Sequence, residues 1–245
     1  MKKLSIDIKN KGFVTPDGKT VNVIKNLSFT LSNSEFVCII GPSGCGKTSL
    51  LNIIAGLDKD FSGSIKFDSS ETAYTSSYIF QNPRLLPWRT VLENIQLTSD
   101  KNTNDSGDII HLLDCLGLKD SLHSYPQHLS LGMQRRVALA RGFYKDSDVL
   151  LLDEPFVSLD PPTARNARKL LIDLWQQQPR NVLFVTHDLD EAIELADKLL
   201  FISASPSQVI AEINIEIARG DRTKQNISHF KESLKASRPD IAHLM

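Results

Sequence analysis

The sequence predicts an α/β fold with a parallel sheet at its core, and three observations carry the prediction. Glu35-Phe36-Val37-Cys38-Ile39-Ile40 is an unbroken apolar run, as expected of a strand covered on both faces, and a glycine-rich loop and the helical stretch Thr48 to Ala55 follow it. The short strands Val149 to Leu152, Val182 to Val185 and Leu199 to Ile202 alternate with helical segments near Ala164 to Gln177 and Leu189 to Ala196. Such alternation implies parallel strands joined by right-handed crossovers. From Asn82 to about Lys145 the pattern turns helical with few β-branched runs, which reads as a helical subdomain inserted in the sheet domain.

The remaining elements follow in order. Leu4 to Lys9, Val21 to Ile24 and Leu27 to Leu31 read as short strands, with Pro16-Asp17-Gly18 as the turn between the first two, so the chain opens on an antiparallel β layer. Ser76 to Phe80 is a further strand. Ile109, Ile110, Leu112, Leu113 and Leu116 lie at helical spacing and end near Gly117, and Met133 to Phe143 suits a second helix. Val209 to Ile217 alternates as a half-exposed strand, and the tail from Ser228 holds one helix. The chain is expected to be one domain over 1–245, its β layer and core from 1–81 and 146–245 and its helical insert from 82–145.

A chain of 245 residues, 41% hydrophobic and 23% charged, is an ordinary globular chain, neither fibrous nor disordered. Lys and Arg number 28 against 29 Asp and Glu, so no bulk charge draws it to nucleic acid, and none is expected as a partner. No apolar run approaches the eighteen or so residues that span a bilayer. The start, Met1-Lys2-Lys3-Leu4-Ser5-Ile6-Asp7, alternates as a strand does and is not read as a signal peptide, so cytoplasmic residence is expected. The cysteines Cys38, Cys45 and Cys115 form no CxxC pair, and the six histidines lack metal-site spacing; His123 and His128 flank a Tyr-Pro turn and read as surface residues.

Three motifs carry chemistry. Gly41-Pro42-Ser43-Gly44-Cys45-Gly46-Lys47-Thr48, with Ser49 after it, fits G-x-x-x-x-G-K-[ST] between a buried strand and a helix. Its glycines let backbone N–H groups converge on phosphates at a helix N-terminus, Lys47 reaches the β- and γ-phosphates, and the Thr48 hydroxyl ligates Mg²⁺. Val149 to Leu152 ends in Asp153-Glu154 at the carboxyl edge of the sheet, where Asp153 can hold Mg²⁺ and Glu154 can polarise a water in line with the γ-phosphate. Ser130-Leu131-Gly132-Met133 joins a small-residue turn to a helix and offers a hydroxyl, an amide and a helix N-terminus to an anion.

The order of P-loop, Gln81, Ser-x-Gly helix start, Asp153-Glu154, Ser158-Leu159-Asp160 and His187 resembles the nucleotide-binding subunit of ATP-binding cassette (ABC) transporters over nearly the whole chain. The resemblance implies a P-loop NTPase core and a head-to-tail homodimer or paralogous heterodimer with two ATP molecules in its interface. Each ATP would lie between one chain's P-loop and the signature residues Ser130, Gly132 and Met133 of the other, with Asp160 in the D-loop. It implies that Gln81 contacts Mg²⁺ and the attacking water, that His187 contacts the γ-phosphate and steadies Glu154, and that Phe13 stacks on adenine. The signature departs from Leu-Ser-Gly-Gly-Gln: Leu131 stands for the first glycine and Met133 for the glutamine.

Arg84-Leu85-Leu86-Pro87-Trp88 sets three large apolar groups around a proline, and with the resemblance it reads as part of a groove for a permease helix. The run from Gln81 to Asn94 is most similar to the ATPases of nitrate, sulfonate and taurine importers. Such a subunit works peripherally at the cytoplasmic face of the inner membrane and meets a solute-binding protein only indirectly. The other reading weighed is a soluble ATPase of the same type acting as an ATP-driven clamp; the long coiled-coil insertion or tandem cassettes of such proteins are not seen here. Cys45, at a helix N-terminus, is expected to be an activated thiol whose alkylation inhibits the ATPase and is blocked by MgATP.

Overall fold

Strand and helix boundaries here follow from where apolar alternation, caps and tight turns fall, and the computed structural model describes residues 3–68, 74–98, 106–157 and 159–244. In chain order the strands are β1 (Leu4–Val14), β2 (Thr20–Leu31), β3 (Phe36–Ile40), β4 (Ser62–Phe67), β5 (Ser76–Ile79), β6 (Val149–Asp153), β7 (Asn181–Val185), β8 (Lys198–Ile202) and β9 (Val209–Asn214). The helices are α1 (Lys47–Ile54), α2 (Val91–Gln96), α3 (Ser106–Cys115), α4 (Leu131–Tyr144), α5 (Pro161–Gln177), α6 (Leu189–Leu195) and α7 (Lys224–Ser237). Two units divide the chain: Met1–Tyr74 with Asn181–Met245, and Thr75–Arg180.

In the first unit, β1 alternates buried and half-exposed residues along Leu4, Ile6 and Ile8, which face Leu31, Phe29 and Leu27 of β2. On its other edge β1 pairs antiparallel with β4, giving the order β2-β1-β4. β2 is one long strand where the sequence suggests two. Asn26 enters the left-handed region at φ 51°, which asparagine tolerates, and the ladder passes from Asn10–Lys25 to Ile8–Leu27 without ending. A bulge between Lys11 and Gly12 bends the far end of the hairpin.

β4 has no counterpart in the sequence reading. Only Ile65 and Phe67 alternate in it, and its pairing depends on Gly63 at φ 138°, where a Cβ would stand 2.1 Å from the Asp7 carbonyl oxygen and 2.9 Å from Ile8 Cα. Gly63→Ala is therefore expected to cost about 1–3 kcal/mol. At about 2–4 °C per kcal/mol for a chain of this size, Tm falls by roughly 5 °C, measured by thermal unfolding. An unchanged Tm would show that β4 can shift away from β1 at no cost.

The same unit holds β7, β3 and β8 in parallel, with Phe36–Ile39 opposite Val182–Val185 and Val37–Ile40 opposite Lys198–Phe201. Every residue of β3 and β7 is buried, as the unbroken apolar runs require. β9 pairs antiparallel with β8 and stops at Asn214 instead of Ile217, because its partner begins at Lys198. α7 starts at Lys224, four residues before Ser228, on a Thr223 cap that accepts from the Asn226 N–H at 3.2 Å.

In the second unit, β5 and β6 are parallel, Ser76–Ile79 opposite Val149–Leu152, with β6 wholly buried. α2 begins on a capping box in which Thr90 Oγ1 accepts from the Glu93 N–H and the Glu93 carboxylate accepts from the Thr90 N–H. α5 begins at Pro161, three residues earlier than Ala164, because Asp160 caps it and prolines fill its first turn. Among the described residues no helix is long and apolar enough to cross a membrane.

Candidate functional site

In the first unit the glycine loop leaves the carboxyl end of β3 and opens α1. Gly46 is the N-cap at φ 103°, a conformation that favours glycine, and a Cβ there would meet Val23 Cγ1 at 2.5 Å. A glycine cap has no side chain to offer and no acidic residue lies in the first turn, so neither the cap nor the first turn brings a negative charge to the N-terminus of α1. A Cβ at Gly41 would strike Ile202 Cγ1 at 2.6 Å, so the loop lies close along the end of β8. Lys47 is buried, and its ammonium donates to the Gly41 and Pro42 carbonyls at 2.8 Å each. Ser43, Gly44 and Thr48 are exposed; Pro42 and Ser49 are half-buried. The donors fit a polyphosphate: an uncapped helix start, a closely packed glycine turn and one ammonium folded into it.

His187 follows β7, the parallel neighbour of β3, so it leaves the same edge of that sheet as the loop. It is exposed in a turn fixed by Thr186, whose hydroxyl donates to Glu191 at 2.5 Å and accepts from the Asp188 N–H at 3.1 Å. Phe13 lies on the β1–β2 hairpin opposite Val21 and is 47% exposed. The buried Lys11 ammonium stands 4.6 Å from the centre of its ring and is bound to Asp58 and Asp60. The ring thus meets a cation while almost half of the residue stays open to a planar partner.

Cys45 differs from its expectation. The thiol is buried and pushed up by desolvation, which outweighs the nearby Lys47 charge. A helix N-terminus activates a thiol that water can reach, and this one is sealed in the loop. At neutral pH the exposed Cys115 is expected to react with iodoacetamide well before Cys45, followed by peptide mapping. Equal rates at the two would restore the activated-thiol expectation.

In the second unit Gln81 and Asp153-Glu154 leave adjacent carboxyl ends, since Ile79 lies opposite Leu152. Gln81 is exposed and Asp153 buried. Glu154 has φ 44°, a left-handed conformation that a non-glycine residue holds only where its surroundings impose it, which often marks a functional position. Ser130 caps α4, its hydroxyl accepting from the Met133 N–H at 3.2 Å. A Cβ at Gly132 would sit at an ordinary 3.6 Å from Leu159 and Thr163, so packing within the unit does not demand glycine there. Leu131 is exposed, and Gln134 is bound to the Pro126 and Leu129 carbonyls, so it does not substitute for the glutamine missing at Met133. Asp160 is exposed, and its hydrogen bonds to Thr163 hold its carboxyl below the usual range. Ser158 lies outside the described residues.

Several residues outside the phosphate and carboxylate motifs organise this unit. Tyr78 donates to Asp153 Oδ2 at 3.3 Å and stacks on Phe80 with ring centres 4.0 Å apart, and the Arg84 guanidinium lies 3.9 Å from the Phe80 ring centre. Burial and the Asp153 charge push the Tyr78 phenol far up, so it stays a donor. Asn94, wholly buried, accepts from the Leu86 N–H and donates to the Leu86, Arg89 and Thr90 carbonyls. Arg141 on α4 donates to the Pro83 and Arg84 carbonyls. The loop from Arg84 to Trp88 is thus held at several points while Trp88 stays 69% exposed.

Among the described residues no three His, Cys, Asp or Glu side chains are grouped to hold a metal. Mg²⁺ needs no such group: it takes one or two protein ligands with phosphate oxygens and water, and Thr48 in the first unit, like Asp153 in the second, carries by itself an oxygen donor of that kind.

A glycine loop between buried strand and helix, with a second strand ending in a buried aspartate and a glutamate, defines a P-loop NTPase. Residues 24–157 match the ABC transporter family. The chain belongs to that family, as an ATP-binding subunit and an ATP hydrolase. It is 40% identical over 236 residues to the aliphatic sulfonates import ATP-binding protein SsuB of Bacillus thuringiensis subsp. konkukian (strain 97-27), covering 93% of this chain and 92% of that one. It is 39% identical over 221 residues to SsuB of Bacillus subtilis (strain 168), covering 88% and 86%. The ATP-binding cassette MJ0796, in a dimeric post-hydrolysis state bound to ADP and Pi, superposes with a TM-score of 0.75 at 26% identity over 88% of this chain and all of that one.

Proposed function

We propose that this chain energises an importer of aliphatic sulfonates, working as a dimer on the cytoplasmic face of a membrane. The observation that carries the solute class is identity of about two fifths to SsuB proteins across nearly the full chain. It agrees with the run from Gln81 to Asn94, which is similar to the ATPases of nitrate, sulfonate and taurine importers.

Gly41 to Ser49 hold the phosphates, with Lys47 on the β- and γ-oxygens. Thr48, Asp153 and Gln81 are the residues that would hold Mg²⁺, which would supply positive charge against the phosphates. Glu154 takes the proton of the attacking water, and His187 contacts the γ-phosphate and keeps Glu154 in place. Ser130, Gly132 and Met133 act on the partner protomer's nucleotide from the start of α4, with Asp160 nearby in the dimer, and Phe13 stacks on adenine. The exposed Trp88 on its anchored loop meets the permease.

The test is purification of the tagged chain from native membranes in mild detergent, with the proteins that accompany it identified by mass spectrometry. A multi-span permease is expected, with ATPase activity raised by a solute-binding protein loaded with an aliphatic sulfonate, taurine included, more than by one loaded with nitrate. Stimulation by nitrate instead would reassign the solute. Recovery of soluble proteins alone, dependent on MgATP, would replace transport by the soluble clamp.

A further inference from the structure

Beside the residues already given roles, one aromatic group reaches the aspartate at the end of β6. Tyr78 lies opposite Leu151 in the β5–β6 ladder, and its hydroxyl engages Asp153 Oδ2 at 3.3 Å. Its ring is fixed in turn by stacking on Phe80 at 4.0 Å and 21°, and the far part of that stack is the Arg84 guanidinium, 3.9 Å from the Phe80 centre. Arg84 is itself at φ 47° with its carbonyl held by Arg141. A hydroxyl–carboxylate separation of 3.3 Å is long, so sub-ångström movement of the stack is enough to strengthen or lose the bond.

We infer that Tyr78 is a positioning residue for Asp153: its hydroxyl orients the carboxylate that receives Mg²⁺, and the Tyr78–Phe80–Arg84 stack ties that orientation to the loop carrying Trp88. This rests on the reading of Asp153 as a Mg²⁺ ligand. A group that hydrogen-bonds a metal-ligating carboxylate without touching the metal typically changes metal affinity by about 10–100-fold. The loop and the metal ligand then share one lever, and displacement at Arg84 changes how tightly the nucleotide's metal is held.

The experiment is a Mg²⁺ titration of thermal unfolding in the full chain with a non-hydrolysable ATP analogue, comparing the native protein, Tyr78→Phe and Asp153→Asn. Tyr78→Phe keeps the ring and its stack and removes only the hydroxyl. Its melting temperature without nucleotide, and with the analogue in EDTA, is expected to match the native protein, while the Mg²⁺ concentration at half-maximal stabilisation rises about tenfold. A half-point within twofold of native, with Asp153→Asn losing the Mg²⁺ response, overturns the inference about Tyr78 alone. An intact Mg²⁺ response in Asp153→Asn overturns the reading of Asp153, and the inference with it. A lower melting temperature of Tyr78→Phe in EDTA without a changed half-point assigns the hydroxyl to packing and also overturns it.

Discussion

Glu154→Gln is expected to bind MgATP as the native chain does, to accumulate as an ATP-bound dimer, and to lose turnover by about 10²–10⁴-fold. The substitution keeps the shape of the side chain and removes its negative charge, so what it tests is proton acceptance and not packing. Position matters here as much as chemistry. The backbone of Glu154 is in the left-handed region at φ 44°, which costs about 1–3 kcal/mol and aims a side chain that an extended backbone would send elsewhere. Phosphate release reports the turnover, and gel filtration with and without MgATP reports the dimer. Native turnover in the variant would remove Glu154 from the role of base.

Lys47→Ala is expected to weaken ATP binding by about 10–100-fold, the loss of one charge-assisted contact worth about 1.5–3 kcal/mol, and to bring hydrolysis below detection. The ammonium also holds the loop, donating to the Gly41 and Pro42 carbonyls. The variant therefore loses the shape of the cradle as well as its charge. Lys47→Arg separates the two, because a planar fork cannot take the place of a compact ammonium between those carbonyls. Calorimetric titration with ATP measures both variants; a dissociation constant within twofold of native for Lys47→Ala would show that the backbone amides bind the phosphates alone.

Much of this architecture is legible in the residues. β3, β6 and β7 contain unbroken apolar runs because both faces of each are covered, and no surface helix would tolerate Val149-Leu150-Leu151-Leu152. The glycine loop is legible because its spacing is a mechanical requirement, with Gly46 needed where a Cβ would strike Val23. β4 is not, since its pairing rests on one glycine whose tolerance of close approach is set by Asp7, far away in sequence. α2 does announce itself in Thr90-Val91-Leu92-Glu93, a capping box that the broad helical reading of the region passed over. The bond between Tyr78 and Asp153 belongs to a third kind, since it depends on the β5–β6 register, which neither strand's pattern specifies. The burial of Cys45 is of that kind too, because a local motif says where the loop turns but not how deeply its thiol is sealed.

The anchoring of the loop before α2 has a mechanical meaning. With Asn94 gripping Leu86 and Arg89, and Arg141 gripping Pro83 and Arg84, this segment is stiff, although it has no regular secondary structure. A compliant segment would absorb a push by rotating its own dihedrals, and the work would be dissipated locally. A stiff one passes the displacement on nearly undiminished, and a partner that grasps Trp88 has little chain entropy left to remove. With the permease at Trp88 as proposed, stroke length at this surface would be set by the elements to which the segment is tied and not by the segment itself.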